Sequence, residues 1–254
     1  MQRRVYPAPC GHVYLFATCL VDLFLPEAGL DAVHLLEREG QRVHFPRAQS
    51  CCGQPAYTSG NPVQARAVAR AQLDLFRQPW PVVVPSGSCA GMMRLHWPRL
   101  FDGEAARVAQ AEELATRVFE LSEFLVEVLK VDFRDCAGPP IDIGLHTSCS
   151  ARREMGTRAH ALELLGALPG VRVSTHENEV ECCGFGGTFS LRHDDISGAM
   201  VQDKVASLQA NASHFVTADG GCLLNIGHAA KKRGCALQGE HIASFVRRRV
   251  ERKA

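Results

Sequence analysis

Short apolar runs alternate with longer amphipathic ones along this chain. HVYLF (12–16), GQRVHFP (40–46) and PVVVPSG (81–87) are brief and rich in β-branched or aromatic residues, and each reads as a buried strand. Between them lie helical patterns. PEAGLDAVHLLEREG opens with Pro26 in a first-turn position and closes on Gly40. NPVQARAVARAQLDLFRQ has Asn61 as a cap and stops before Pro79. Further on, IDIGLH, VRVSTH and HFVTAD take strand places, while ISGAMVQDKVASLQAN and CLLNIGHAAKKRG take helix places, the latter closing on Gly234. Strands alternating with helices predict a parallel sheet with helices packed on it.

The pattern occurs twice. FATCLVDLF matches LHTSCSARR, HFPRAQSCCGQPAYTSG matches THENEVECCGFGGTFSL, and VVVPSGSCAGMM matches FVTADGGCLLNI. The ends agree as well, since FELSEFLVEVL resembles EHIASFVRRRV, each reading as a final short strand and helix. The cysteines pair in order: Cys19 with Cys149, Cys51 with Cys182, Cys52 with Cys183, Cys89 with Cys222. FRDCAGPP, with two prolines and a glycine, reads as the linker. The expected architecture is α/β: two small domains, 1–135 and 136–254, related by a pseudo-twofold axis. Each is a mostly parallel sheet flanked by helices, with cysteines at the carboxyl ends of strands, where ligands of such sheets gather.

Composition narrows the function. A net charge of +1 leaves no field to recruit nucleic acid or lipid, and the basic run RRRVERK is expected to be a solvated helix end. MQRR followed by an apolar run resembles a signal peptide, but Asp22 interrupts it and the same run recurs in the second half. No segment is long enough to span a bilayer, so the expected location is the cytoplasm. Eleven cysteines are too few for a disulfide scaffold, and the number is odd. Clustered thiols in a reducing compartment suggest metal ligation, although a lone Cys is more often a small buried hydrophobe.

Cys-Cys-Gly carries the chemistry. Neighbouring side chains in a strand point to opposite faces, so two adjacent sulfurs reach one site only if the chain turns sharply. A following glycine permits that turn. A polynuclear iron–sulfur cluster offers the two thiolates separate irons. One tetrahedral zinc would need both neighbours on a single ion, and paired zinc cysteines are usually spaced by two to four residues. Zinc, buried unligated thiols and a vicinal disulfide remain as alternatives. Four thiolates per half meets the Cys₄ requirement of a [4Fe–4S] cluster. The expected metal ligands are Cys19, Cys51, Cys52 and Cys89 in one set and Cys149, Cys182, Cys183 and Cys222 in the other.

These motifs resemble the cysteine-rich (CCG) domain family. That family includes the cysteine-rich subunit of heterodisulfide reductase, the iron–sulfur subunit of glycolate oxidase and the lactate-utilisation A group. FATCLVDLFLPEAG, CCGQPAYTSG, PSGSCAGM and CCGFGGTFS look most like the last, and the C-x-x-C-x-x-C motifs of the glycolate subunit are absent. The resemblance implies two [4Fe–4S] clusters, one per repeat, in an electron-transfer subunit of a complex oxidising L-lactate to pyruvate. It implies as partners a ferredoxin-type iron–sulfur protein and a third subunit. Glycolate or a thiol/disulfide couple is the alternative donor, and a zinc-stabilised scaffold without redox activity is the alternative of another class. The wider family ends its motif in C-x-x-C, where this chain has Ser86 and Asp219. Disulfide-cleaving chemistry is therefore not expected, and both residues read as helix N-caps, with oxygen ligation as the alternative.

Other residues add little at this level. His146 could donate to a cluster sulfur or ligate iron, or simply end a strand. Cys10, Cys136 and Cys235 fall outside the repeat and read as plain thiols. GFGG lacks the dinucleotide spacing, and the Met92–Met93 pair, Trp80 and Trp97 read as packing. With no organic cofactor site, two-electron oxidation of lactate is not expected of this chain alone.

Overall fold

The computed structural model describes residues 4–251; residues 1–3 and 252–254, including most of MQRR and the end of RRRVERK, lie outside it. Eight strands form two four-stranded parallel sheets. β1 (His12–Leu15), β2 (Arg42–His44), β3 (Val82–Val84) and β4 (Val118–Glu120) stand in the order β2-β1-β3-β4. β5 (Ile141–Leu145), β6 (Val171–Ser174), β7 (His214–Thr217) and β8 (Gln238–His241) stand in the order β6-β5-β7-β8. The register is duplicated with the order: Tyr14 pairs with Val82 as its counterpart Gly144 pairs with Phe215. Every strand expected from the sequence forms. Val82, Val83 and Val84 are buried on both faces, as a parallel strand covered by helices must be.

The helices differ from expectation in several places. The helix Pro62–Leu73 stops well short of Gln78. The chain turns there to bury Phe76, whose carbonyl Arg117 takes at 2.7 Å, while the Gln78 amide donates to the Tyr14 hydroxyl at 3.3 Å. Asn61 holds the N-cap place of this helix but gives it no side-chain bond. Trp97–Leu100 and Ala105–Thr116 are further helices between β3 and β4 that the apolar pattern did not mark.

The two halves do not keep separate interiors. The largest core cluster takes Val13, Leu15, Leu35 and Phe119 from one half, and Ile143, Leu145, Phe245 and Val246 from the other. Arg249 corrects the reading of RRRVERK as a solvated end. Its residue is 2% exposed, and its guanidinium donates to the carbonyl oxygens of Pro139 (2.7 Å) and Pro169. The basic terminal helix thus clasps the linker, and Gly138 leaves the room for it.

Candidate metal centre

Strand order determines where a site can form. In each sheet the chain leaves the first strand toward one side and later returns to the other, which opens a crevice between β1 and β3, and between β5 and β7. Cys19 begins the helix Cys19–Phe24 directly after β1, and Cys89 lies in the helix Gly87–Gly91 directly after β3. Cys149 and Cys222 hold the same places after β5 and β7. The Cys-Cys-Gly loops follow β2 and β6. All eight cysteines expected as ligands line one cavity of ≈ 390 Å³ at the carboxyl ends of the two sheets. A water takes up about 30 Å³ of liquid, so the cavity has room for far more than two bare ions.

The glycine of each loop makes the turn that the sequence demands. Gly53 has φ 86° and Gly184 φ 84°, a region that costs an L-residue roughly 1–2 kcal/mol. Their amides donate to the first sulfur of each pair, Gly53 to Cys51 Sγ and Gly184 to Cys182 Sγ, both at 3.4 Å. The second sulfur turns inward instead. Cys52 Sγ lies 3.2 Å from Cys89 Sγ, and Cys183 Sγ 3.1 Å from Cys222 Sγ. Cys19 Sγ lies 3.7 Å from Cys51 Sγ. Among the described residues no two cysteines are bonded to each other. Thr18, just before Cys19, is one of two non-glycine residues at positive φ among the described residues (φ 73°). Such strain costs of order 1–3 kcal/mol and concentrates at functional sites; here it falls on the N-cap of the helix that Cys19 begins.

Two side chains that sequence reasoning treated as packing, or passed over, pin the loops. Trp97 is fully buried, and its indole N–H donates to the Cys52 carbonyl at 2.8 Å. Asn225 donates to the equivalent carbonyl, that of Cys183, at 2.9 Å. Asn225 lies three residues after Cys222 on one helix, so helical spacing could have marked it. Trp97 carries no such signal.

Asp219 is not the plain cap expected of it. Its Oδ1 accepts from the Ser86 hydroxyl at 2.8 Å and the Ser88 amide at 3.0 Å, across the pseudo-twofold axis, and its Oδ2 accepts from the Ser148 hydroxyl at 2.5 Å. It gives its own helix no side-chain bond. Ser86 does cap its helix, accepting from the Cys89 amide at 3.3 Å. Ser86 and Asp219, both read from the sequence as helix caps, are thus bonded to each other across the two halves and line the same cavity as the sulfurs.

The electrostatics suit cations. Cys51 is pulled down to about 3 by hydrogen bonds from Cys19 and Cys52, and both donors are pushed up in turn. Cys149 is pushed up by its bond to Cys182 and by burial. Thiols this crowded ionise together only when metal supplies the opposing charge. Each half presents four soft donors, the set preferred by zinc or iron–sulfur centres. His146, fully buried, has no hydrogen-bond partner at either ring nitrogen, and a ring nitrogen, Cys183 Sγ and Cys222 Sγ all lie within 4.8 Å of one another. Of the remaining thiols, Cys136 is buried in the shared core, Cys10 is exposed and Cys235 half-buried, and none lines the cavity. No helix among the described residues is long and apolar enough to cross a membrane.

Comparison with known proteins supports this reading. The family profile described as "Cysteine-rich domain" (CCG) matches residues 13–94 and 143–227. "Lactate utilization protein A" of Geobacillus kaustophilus is 41% identical over 246 residues, covering 93% of this chain and 99% of that protein. Its namesake from Macrococcus caseolyticus is 39% identical over 242 residues, covering 94% and 97%. A crystal structure of a hypothetical protein from Helicobacter pylori superposes with a TM-score of 0.65 at 12% identity, covering 99% of this chain and 51% of that one. This chain spans about half of that protein, and the likeness bears on fold alone. Each matched segment opens within the first strand of a sheet and takes in that half's four cavity-lining cysteines, and the chain therefore belongs to the cysteine-rich (CCG) domain family, with two copies of the domain, in the group of lactate utilization protein A.

Proposed function

We propose that this chain is the iron–sulfur electron-transfer subunit of a complex that oxidises L-lactate to pyruvate. Residues 1–135 and 136–254 are the two repeat units, and each holds one [4Fe–4S] cluster. Cys19, Cys51, Cys52 and Cys89 ligate the first, and Cys149, Cys182, Cys183 and Cys222 the second. The observation that carries this is the convergence of all eight cysteines, in two sets, on one cavity. The adjacent thiols of each Cys-Cys-Gly loop favour a polynuclear centre, which offers them separate irons, over a single zinc, whose paired cysteines are usually spaced by two to four residues.

When bound, such a cluster supplies a one-electron site. The chain's own residues hold and shape it. Gly53 and Gly184 turn the adjacent thiols toward the cavity, Trp97 and Asn225 fix the loop carbonyls, and Asp219 locks one half against the other. Lactate oxidation moves two electrons, so its immediate acceptor belongs to another member of the complex. The partners are a ferredoxin-type iron–sulfur protein and a third subunit. Lactate, rather than glycolate, is favoured by the relatives named for lactate utilisation. The test is genetic. A strain lacking this chain is expected to lose growth on L-lactate while keeping growth on pyruvate and glycolate. Undiminished growth on L-lactate, or loss confined to glycolate, overturns the reading.

A further inference from the structure

Aligned on their cysteines, the two halves differ in charge: the second carries Glu179 and Glu181 where the first has Ala48 and Ser50, and against these stand four changes of the opposite sense. Phe16 stands where the second half has His146, Asp22 where it has Arg152, and Phe45 where it has His176. The helices behind the loops align as well, because Gly53 lies against Ala65 as Gly184 lies against Ser197. Seven residues further on, this places Gln72 opposite Lys204. Each of these four brings a cation or an N–H donor into the second half.

Two of the four are buried close to the second half's cysteines: Lys204 against the loop that leads to Cys182, and His146 beside Cys183 and Cys222. Lys204 is 1% exposed, and its ammonium donates to the Asn178 carbonyl. Its charge is felt by Cys183, Cys222 and Cys182, and by Glu181. Gln72, its neutral counterpart, spends its amide on Ser50, accepting from the backbone N–H at 2.8 Å and donating to the hydroxyl at 3.0 Å. His146 lies within 4.8 Å of Cys183 Sγ and Cys222 Sγ, with both ring nitrogens free of other partners. Burial holds it neutral, so it keeps one N–H to donate. Phe16 has none. Arg152 is paired with Glu179, which offsets its charge.

We propose, on the basis of the iron–sulfur reading above, that the two centres are inequivalent: Lys204 and His146 give the second half the more positive reduction potential. An electron shared between the halves therefore resides near Cys183 and Cys222. The transfer is internal, one electron leaving the first centre for the second, with no bond or proton moved. Reduction adds a negative charge, which a buried cation and a hydrogen bond to sulfur both stabilise in a medium of low dielectric. Exposed Glu181, where the first half has Ser50, opposes this, and so does Asp219, whose carboxylate acts on Cys149 and Cys222. Its charge is shared, however, with two donors from the first half and one from the second.

The test is an EPR-monitored redox titration of the full chain, reconstituted anaerobically, with iron and sulfide counted beforehand. Replacing Cys51 and Cys52 by serine removes the first half's signal and so assigns the other. The native chain is expected to show two midpoints, the more positive belonging to the second half. Lys204→Gln, which installs the first half's own residue, is expected to move that midpoint negative and leave the other in place; His146→Phe is expected to do the same. Full iron content with coincident midpoints, or with the second half more negative, overturns the proposal and leaves the iron–sulfur reading intact. So does a Lys204→Gln chain whose midpoints are both unmoved. Failure to take up iron and sulfide at all overturns the iron–sulfur reading, and the proposal falls with it.

Discussion

At the scale of the residue, the site depends on a few positions where only one chemistry fits. A Cβ on Gly184 would stand 2.7 Å from the Ser197 carbonyl oxygen, against 3.2 Å from the Ala65 oxygen for one on Gly53. Positive φ adds roughly 1–2 kcal/mol at either place. Gly184→Ala is therefore expected to lower stability by about 2 kcal/mol or more and to cost the second half its iron. Gly53→Ala should be milder in both; thermal unfolding and iron analysis of the two variants check the order. Glu120, fully buried, offers a different test. Burial raises its carboxyl to about 8, although it accepts bonds from the Ser122 and Glu123 amides. The folded chain thus keeps a proton that the unfolded chain releases in the ordinary carboxylate range. Stability from this group is fully present below that range and is lost as pH rises toward about 8. Glu120→Gln keeps an acceptor and removes the titration. Between about pH 5 and about pH 9 it is expected to lose about 1–4 kcal/mol less than the parent, read by denaturant unfolding of the reduced apo chain. The loop glycines were legible in the sequence, because adjacent thiols aimed at one site require a turn that few other residues allow. Glu120 was not, since its burial follows from tertiary packing around the end of β4 and leaves no local mark.

At the scale of the element, the sequence was read well where the pattern is local and poorly where it is not. Six of the eight strands lie within the apolar runs, β4 and β8 run into the matched ends of the two halves, and the long helices begin at Pro26 and Pro62 as marked. The end of the second helix was missed because the burial of Phe76, the bond it accepts from Arg117 and the bond Gln78 donates to Tyr14 are tertiary. Ser86 and Asp219 show the same limit. Both precede a helix and were read as caps, and Ser86 is one. Asp219 instead reaches across the axis, which only the assembled halves could reveal. Removing it leaves three donors, the Ser86 and Ser148 hydroxyls and the Ser88 amide, without their acceptor. Asp219→Ala is expected to cost about 3 kcal/mol, seen as a lowered denaturant midpoint with an unchanged slope. A loss no larger than that of a surface substitution, within about 0.5 kcal/mol, would show that Asp219 does not hold the halves together.

At the scale of the whole molecule, duplication explains both the architecture and the site. One half supplies four thiols at the switch point of one sheet, and the second copy faces it across Asp219. The shared core implies that the halves fold together. Residues 1–135 expressed alone would lose the packing of the helix Pro26–Arg38 on the helix Ile242–Val250 and the second half's share of the common core, and are expected to aggregate where the full chain stays soluble. A soluble, cooperatively unfolding fragment would show the repeats to be independent. The pairing of cysteines between repeats was plain from the sequence, whereas their meeting in one cavity was not, because it depends on how two sheets dock. The central claim is that these eight thiols hold two iron–sulfur clusters, and one measurement meets it directly: iron and acid-labile sulfide per chain after anaerobic reconstitution, for the native protein and for Cys51→Ser/Cys52→Ser. The account predicts about eight irons falling to about four, with the EPR signal of the second half retained. A colourless protein that takes up zinc and no iron under the same conditions would contradict it.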